Sequence, residues 1–368
     1  PPSGASGVLI YVCSSSHGFG HAARDAAVLQ QLRRLRPDWQ LVMSSQISSG
    51  FLNLLLGDSA IEQRPCRWDV GMIQADALGS DPEATLMALA DLEVTLPDQI
   101  RTEVNWIRAQ GRPVLVLGDI PPAAADLADA LVAPLVWLSN FGWDEIYRPF
   151  GGRFISHADR ALASYRRGQL LLRCPFDLTM GWDLPEESLE LVCSEPRGLP
   201  LELRTHLETI ERPIVQVGFG GLGLTLDPAL FAQWPENWFV MATPADPSVE
   251  RGLRMVPNLT LLPSGVRPID AFPHCERHLG KPGFSTFCEA LSLGVGLHVV
   301  QRSDFAEVAA LMDGLLMHGH HRLLSRHQLN CGDWQLDQPL SAPQGSTLSA
   351  RGARQAADHL IAVAERYV

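Results

Sequence analysis

"VLIYVCSSSHGFGHAARD", Val8 to Asp25, joins a β-branched apolar run to a helix through a loop that packs two histidines and two glycines into five residues. A strand that enters a helix through a glycine loop is the opening unit of a parallel-sheet domain, and it presents unpaired helix N–H groups at a strand end. "HAARDAAVLQQLRRLR" then carries apolar residues at helical spacing and is closed by Pro37. Three readings of the loop stay open: a phosphate cradle, a site with His17 or His21 as base, or a tight turn with a histidine capping the helix. It is not a Walker loop, because the chain contains no GxxxxGK[ST].

The same alternation continues outward. "QLVMSS", "RPVLVLGD", "PLVWLS" and "QLLLRC" read as strands, and helical spacing occupies Pro82 to Gln110, "PPAAADLADAL" and Ala158 to Gly168. Pro185 to Pro200, acidic and proline-rich, reads as a linker. The pattern restarts with "PIVQVGFGG", "NWFVMAT", "NLTLLP" and "GLHVVQ", with helices from about Phe284, Ala306 and Thr347. Two such blocks predict an α/β protein of two doubly wound parallel-sheet domains, residues 1–185 and 186–348. Ligands are then expected at the carboxyl ends of strands and in the cleft between domains.

The 368 residues suit two domains, and 46% apolar with 19% charged residues is a folded composition. A net charge of −12 argues against nucleic acid as a partner. The seven cysteines are scattered singly, which reads as reduced thiols in a cytoplasmic protein, not as disulfides or a zinc site. No signal peptide or membrane-length apolar run is visible, and "PPSGASG" reads as a flexible leader. "HGHH", His318 to His321, lacks HExxH spacing and reads as solvated histidines, so no metal site is expected.

A second chemistry-bearing stretch is "HLGKPGFSTFCEALSLG", His278 to Gly294. Lys281, Gly283, Ser285 and Thr286 bring a cation, backbone donors, hydroxyls and a helix N-terminus together, all suited to a diphosphate. Glu289 lies one turn deeper, where it would accept from ribose hydroxyls. Gly220 and Gly221 end a strand and permit close backbone approach to a ligand. "SNFGWDEIY" offers Asn140 and Asp144 at a strand end. Beside Lys281 the first loop has no fixed cation until Arg24, so the later stretch is the better phosphate cradle.

In order and spacing, "SSSHGFGHAARD", "DVGMIQADALGSD", "SNFGWDEIY", "GFGG" and "KPGFSTFCEALSLG" followed by "RSDFAE" resemble the glycosyltransferase-like amino-terminal domain of plant L-arabinokinases. More distantly they resemble the GT-B glycosyltransferases that include the peptidoglycan N-acetylglucosaminyltransferase. The kinase activity belongs to a separate carboxyl-terminal domain whose ATP loop has no counterpart in this sequence. The resemblance implies a GT-B architecture of two Rossmann-like domains, with the donor mainly in the second. It also implies that a last helix, within residues 349–368, crosses back to the first. It matches Lys281, Gly283, Ser285 and Thr286 to the donor-phosphate loop and Glu289 to the ribose-holding acid. Glu307 falls where the sugar is read, and His17 and His21 fall in the loop that faces the reacting centre. The resemblance implies that Gly18, Phe19 and Gly20 form the acceptor-side wall, with one of the two histidines at the reacting centre. Phe284-Ser285 departs from a tyrosine-glycine pair in the family, predicting a less adaptable loop.

The function expected is transfer of a sugar from a nucleotide-diphosphate sugar to a hydroxyl of a small-molecule or lipid-linked acceptor, inverting and with no obligatory cofactor or metal. Peripheral membrane contact is compatible with this. The alternative is a non-catalytic nucleotide-sugar-binding protein. A dehydrogenase fits less well, since "SHGFGHAARD" is not GxGxxG and no acidic residue ends "QLVMSS".

Overall fold

The structure is a computed structural model and describes residues 7–74, 80–219, 226–302 and 305–368. The chain divides into two compact units, the first comprising Pro1–Ser194, Asp304–Ala310 and Ala350–Val368, the second Glu195–Ser303 and Leu311–Ser349.

In the first unit the buried apolar runs become β1 (Leu9–Ser14), β2 (Gln40–Ser44), β3 (Glu62–Arg64), β4 (Val114–Asp119), β5 (Leu135–Ser139), β6 (Leu170–Arg173) and β7 (Glu186–Ser188). They form one parallel sheet in the order β3-β2-β1-β4-β5-β6-β7. Its helices are α1 (Gly20–Leu35), α2 (Ser49–Leu56), α3 (Pro82–Ala109), α4 (Ala123–Leu131), α5 (Trp143–Tyr147) and α6 (Phe154–Tyr165). The order reverses between β1 and β4, and their register sets Ser14 opposite Asp119. The histidine loop and Asp119 therefore leave the sheet side by side, at the switch point where open α/β sheets bind ligands. A core of Tyr11, Trp68, Trp137, Trp143, Tyr165 and Trp182 lies against this sheet. The long α3 is anchored to it through Glu103, which accepts from Tyr11 Oη (2.7 Å) and Arg64 (2.7 and 2.8 Å).

The second unit has β8 (Ile214–Gly218), β9 (Trp238–Ala242), β10 (Leu259–Leu262), β11 (Arg277–Gly280), β12 (Gly296–Val300) and β13 (His321–Leu324). These pair in parallel in the order β10-β9-β8-β11-β12-β13. The helices that follow are α7 (Leu201–Glu208), α8 (Pro247–Arg254), α9 (Pro268–Ala271), α10 (Phe284–Ser292), α11 (Ala306–His318), whose residues up to Ala310 group with the first unit, and α12 (Arg326–Cys331). Phe231, Phe239, Leu279 and Trp334 fill its core. The last helix, α13 (Gly352–Tyr367), groups with the first unit and packs on α1.

Two expectations need correction. The boundary placed after residue 185 falls after Ser194, because Glu186–Ser188 pairs with β6 as a seventh strand. "HGHH" is solvated only in part: His320 is exposed, whereas His321 is buried in β13 with Nδ1 against Gly319 O (2.9 Å). Among the described residues no helix is long and apolar enough to cross a membrane.

Candidate functional site

Gly18 sits at φ +71, so the β1–α1 loop uses a left-handed residue, and Gly20 opens α1. Phe19 is the residue before the helix, and its own side chain does not cap it. Phe19 is 44% exposed, with its ring 4.2 Å from that of Phe51.

The two histidines have different settings. His21 is buried in the first turn of α1, with Nδ1 2.8 Å from Asp119 Oδ1. Asp119 is fully buried at the end of β4. Although burial opposes its charge, Arg24 and then His21 hold its carboxyl well below the usual carboxylate range. An ionised carboxylate only accepts, so Nδ1 of His21 carries the donated proton, and in the neutral ring the lone pair is on Nε2. His17 is the reverse. Met72 N–H donates to its Nδ1 (3.4 Å), so a neutral His17 bears its proton on Nε2. Its ring stacks on Phe305 and stands edge-on to Trp143. Gly71 makes this approach feasible, since a Cβ there would lie 2.5 Å from His17 Nδ1.

Asn140 joins the His21 cluster, because Arg24 donates to its Oδ1 (2.6 Å) and its Nδ2 donates to Glu307 Oε1 (2.9 Å). Glu307 is thus placed in the first unit, on Asn140. Asp144 does not join the cluster. It points from α5 toward Trp182 and the space beside Gly142, and burial raises its carboxyl. Asp119 was not among the sequence candidates, and neither was Asp69, a buried acid that accepts from Trp143 Nε1 (2.9 Å).

In the second unit, β11 ends at Gly280, and Lys281, Pro282 and Gly283 lead into α10. Gly283 precedes the helix in extended conformation, and Ser285 and Thr286 occupy the first turn of α10. Beneath the loop, burial drives His278 down to about 3, with Nδ1 3.1 Å from Gln216 Oε1. Glu289 is half-buried as a residue, yet enough protein surrounds its carboxyl to push it up to about 8, against the pull of Arg267 and with a push from Asp270. Gly220 and Gly221 lie outside the described residues. Among the described residues no group of three His, Cys, Asp or Glu could hold a metal ion.

The Glu289 carboxyl makes a pH prediction. Ribose hydroxyls donate best to a carboxylate, so nucleotide affinity is expected to rise with pH through about 8. Titrations at pH 6.5 and 9 should show this in the wild type and not in Glu289→Gln. A pH-independent wild type would remove Glu289 from the ribose role.

The architecture is the GT-B fold of glycosyltransferases. It is similar to UDP-glucose:anthocyanidin 3-O-glucosyltransferase in complex with UDP, with a TM-score of 0.63 at 11% identity over 97% of this chain and 94% of that one. Arabidopsis thaliana UGT89C1 complexed with quercetin gives 0.60 at 14% identity, over 98% and 94%. Acinetobacter baumannii MurG gives 0.51 at 12% identity, over 98% and 99%. In sequence, the chain is similar to L-arabinokinase of Arabidopsis thaliana, 28% identical over 335 residues, 87% of this chain. The chain spans about a third (31%) of the length of that relative. No family model matches it.

Proposed function

We propose that the chain is a nucleotide-sugar-dependent glycosyltransferase in which His21 Nε2 takes the proton of an acceptor hydroxyl. The observation that carries this reading is the His21–Asp119 pair: a buried carboxylate fixes the tautomer and favours the imidazolium that forms on proton transfer. The deprotonated hydroxyl attacks the anomeric carbon, the bond from that carbon to the diphosphate oxygen breaks, and the diphosphate leaves with the electron pair. Lys281 and the N-terminus of α10 stabilise its charge, so a metal is not required. Glu289 holds the ribose, and inversion at the anomeric carbon follows from a single displacement. Bound UDP in one structural neighbour supports a nucleotide donor as the substrate class. His17, with its ring between Trp143 and Phe305, contributes an acceptor-side wall.

The donor half has a site-specific test. Lys281 is the only lysine among the 368 residues, against 28 arginines. Reductive methylation therefore reports on Lys281 and the α-amino group alone. A nucleoside diphosphate from a panel of UDP, GDP, ADP and TDP is expected to slow modification of Lys281 and not of the α-amino group. No protection by any of them would remove Lys281 from the donor site.

A further inference from the structure

Asp119 touches two basic side chains, His21 and Arg24, and only the imidazole is available for acid–base work. Arg24 Nε donates to Asp119 Oδ2 and Arg24 Nη2 to Oδ1, forming a fork on a carboxylate with no solvent exposure. Arg24 Nη1 donates to Asn140 Oδ1 (2.6 Å), so the guanidinium is held in place as well as buried. Arg24 Nη2 also lies 3.1 Å from His21 Nδ1. We infer that Arg24 is a positioning residue that keeps His21 Nε2 unprotonated by acting as the permanent counterion of Asp119. This rests on the reading of His21 as the base, although the readout below does not depend on turnover.

The argument is one of charge balance. A buried carboxylate needs a positive partner, and arginine supplies one at every pH at which the protein folds. With Arg24 in place the pair is already neutral, and His21 can donate from Nδ1 while its other nitrogen stays bare. Remove the guanidinium charge and the balance falls to His21. Either the ring becomes an imidazolium, or Asp119 takes a proton and donates it to Nδ1, shifting the ring proton to Nε2. Both routes occupy the atom that would receive the acceptor's proton.

The other groups around His21 do not substitute for Arg24. Asp25, next to Arg24 on α1, is raised well above the carboxylate range by burial and by Asp119. Asp69, from the loop after β3, is raised by burial and feels His21. Cys174, after β6, is pushed up to about 12 by burial and stays a neutral thiol. From α11, Glu307 reaches the cluster only through Asn140. None of these is a cation.

The test is the protonation state of His21 in chain labelled with 15N-histidine, its signals among those of 12 histidines identified by their loss in His21→Gln. At pH 8 the wild type is expected to show an unprotonated Nε2 and a protonated Nδ1. Arg24→Met should move Nε2 to the protonated region, and Arg24→Lys, which keeps the charge, should restore the wild-type signal. If Arg24→Met does not fold, Arg24→Gln gives the same readout with an amide in place of the charge. An unprotonated Nε2 in either folded, charge-less variant overturns the inference, as does a lysine variant that behaves like the methionine one. A protonated Nε2 in the wild type overturns it whichever variants fold. A correct nitrogen pattern in a chain that turns over no sugar nucleotide would instead reject the transferase reading and leave the role of Arg24 standing.

Discussion

Replacing His21 by alanine is expected to lower sugar transfer by about 10²–10⁴-fold, the usual contribution of a positioned general base. Nucleotide protection of Lys281 should be unchanged, because His21 and Lys281 lie in different units. The magnitude follows from the setting of the imidazole. Its Nδ1 is committed to Asp119, so deleting the ring removes both the proton acceptor and the group whose positive charge Asp119 would favour. His17→Ala should act differently. That ring touches Met72 N–H, Trp143 and Phe305, so its loss should weaken acceptor binding more than the chemical step. Comparing kcat with KM in the two variants separates the roles. An unaffected rate in both would end the histidine-base mechanism.

The second large effect concerns stability. Asp119→Ala leaves the Arg24 guanidinium buried without its carboxylate, and breaking a buried pair from one side costs about 3–5 kcal/mol. The double change Arg24→Met with Asp119→Leu should recover much of that loss, since apolar side chains of similar volume replace such pairs at little cost. The folded carboxyl of Asp119 titrates below its unfolded value, so its contribution is present above about pH 4 and is lost as the pH falls further. The gap in urea midpoint between wild type and Asp119→Ala should therefore be full at pH 7 and narrower, though still open, at pH 3. A gap that stays constant would mean the ion pair is not what the substitution removes.

Much of this was legible in the sequence, for identifiable reasons. The apolar runs after Val8, Arg112, Pro134 and Pro213 are buried strands, and local composition is enough to mark them. The Lys281–Glu289 stretch was legible because its chemistry is contiguous. Three-residue strands such as β3 and β7 are too short to show a period, which is why the domain boundary was set too early. Asp119 was missed because it lies 98 residues from His21, and only the parallel register of β1 with β4 brings them together. The signal was the acid ending "VLVLGD", readable once β4 is known to neighbour β1. Asp144 failed the opposite way: four residues from Asn140, it shares that stretch of chain but not its surroundings, because α5 turns it toward Trp182.

The central claim is tested most directly by incubating the chain with sugar nucleotides of uridine, guanosine, adenosine and thymidine and measuring release of the nucleoside diphosphate. The account predicts that wild type consumes one of them, slowly by hydrolysis without an acceptor, and that His21→Ala does so about 10²-fold or more slowly while the same nucleotide still protects Lys281. A nucleotide that protects Lys281 but is never consumed, with or without hydroxyl acceptors, would contradict the enzyme reading and leave a nucleotide-sugar-binding protein.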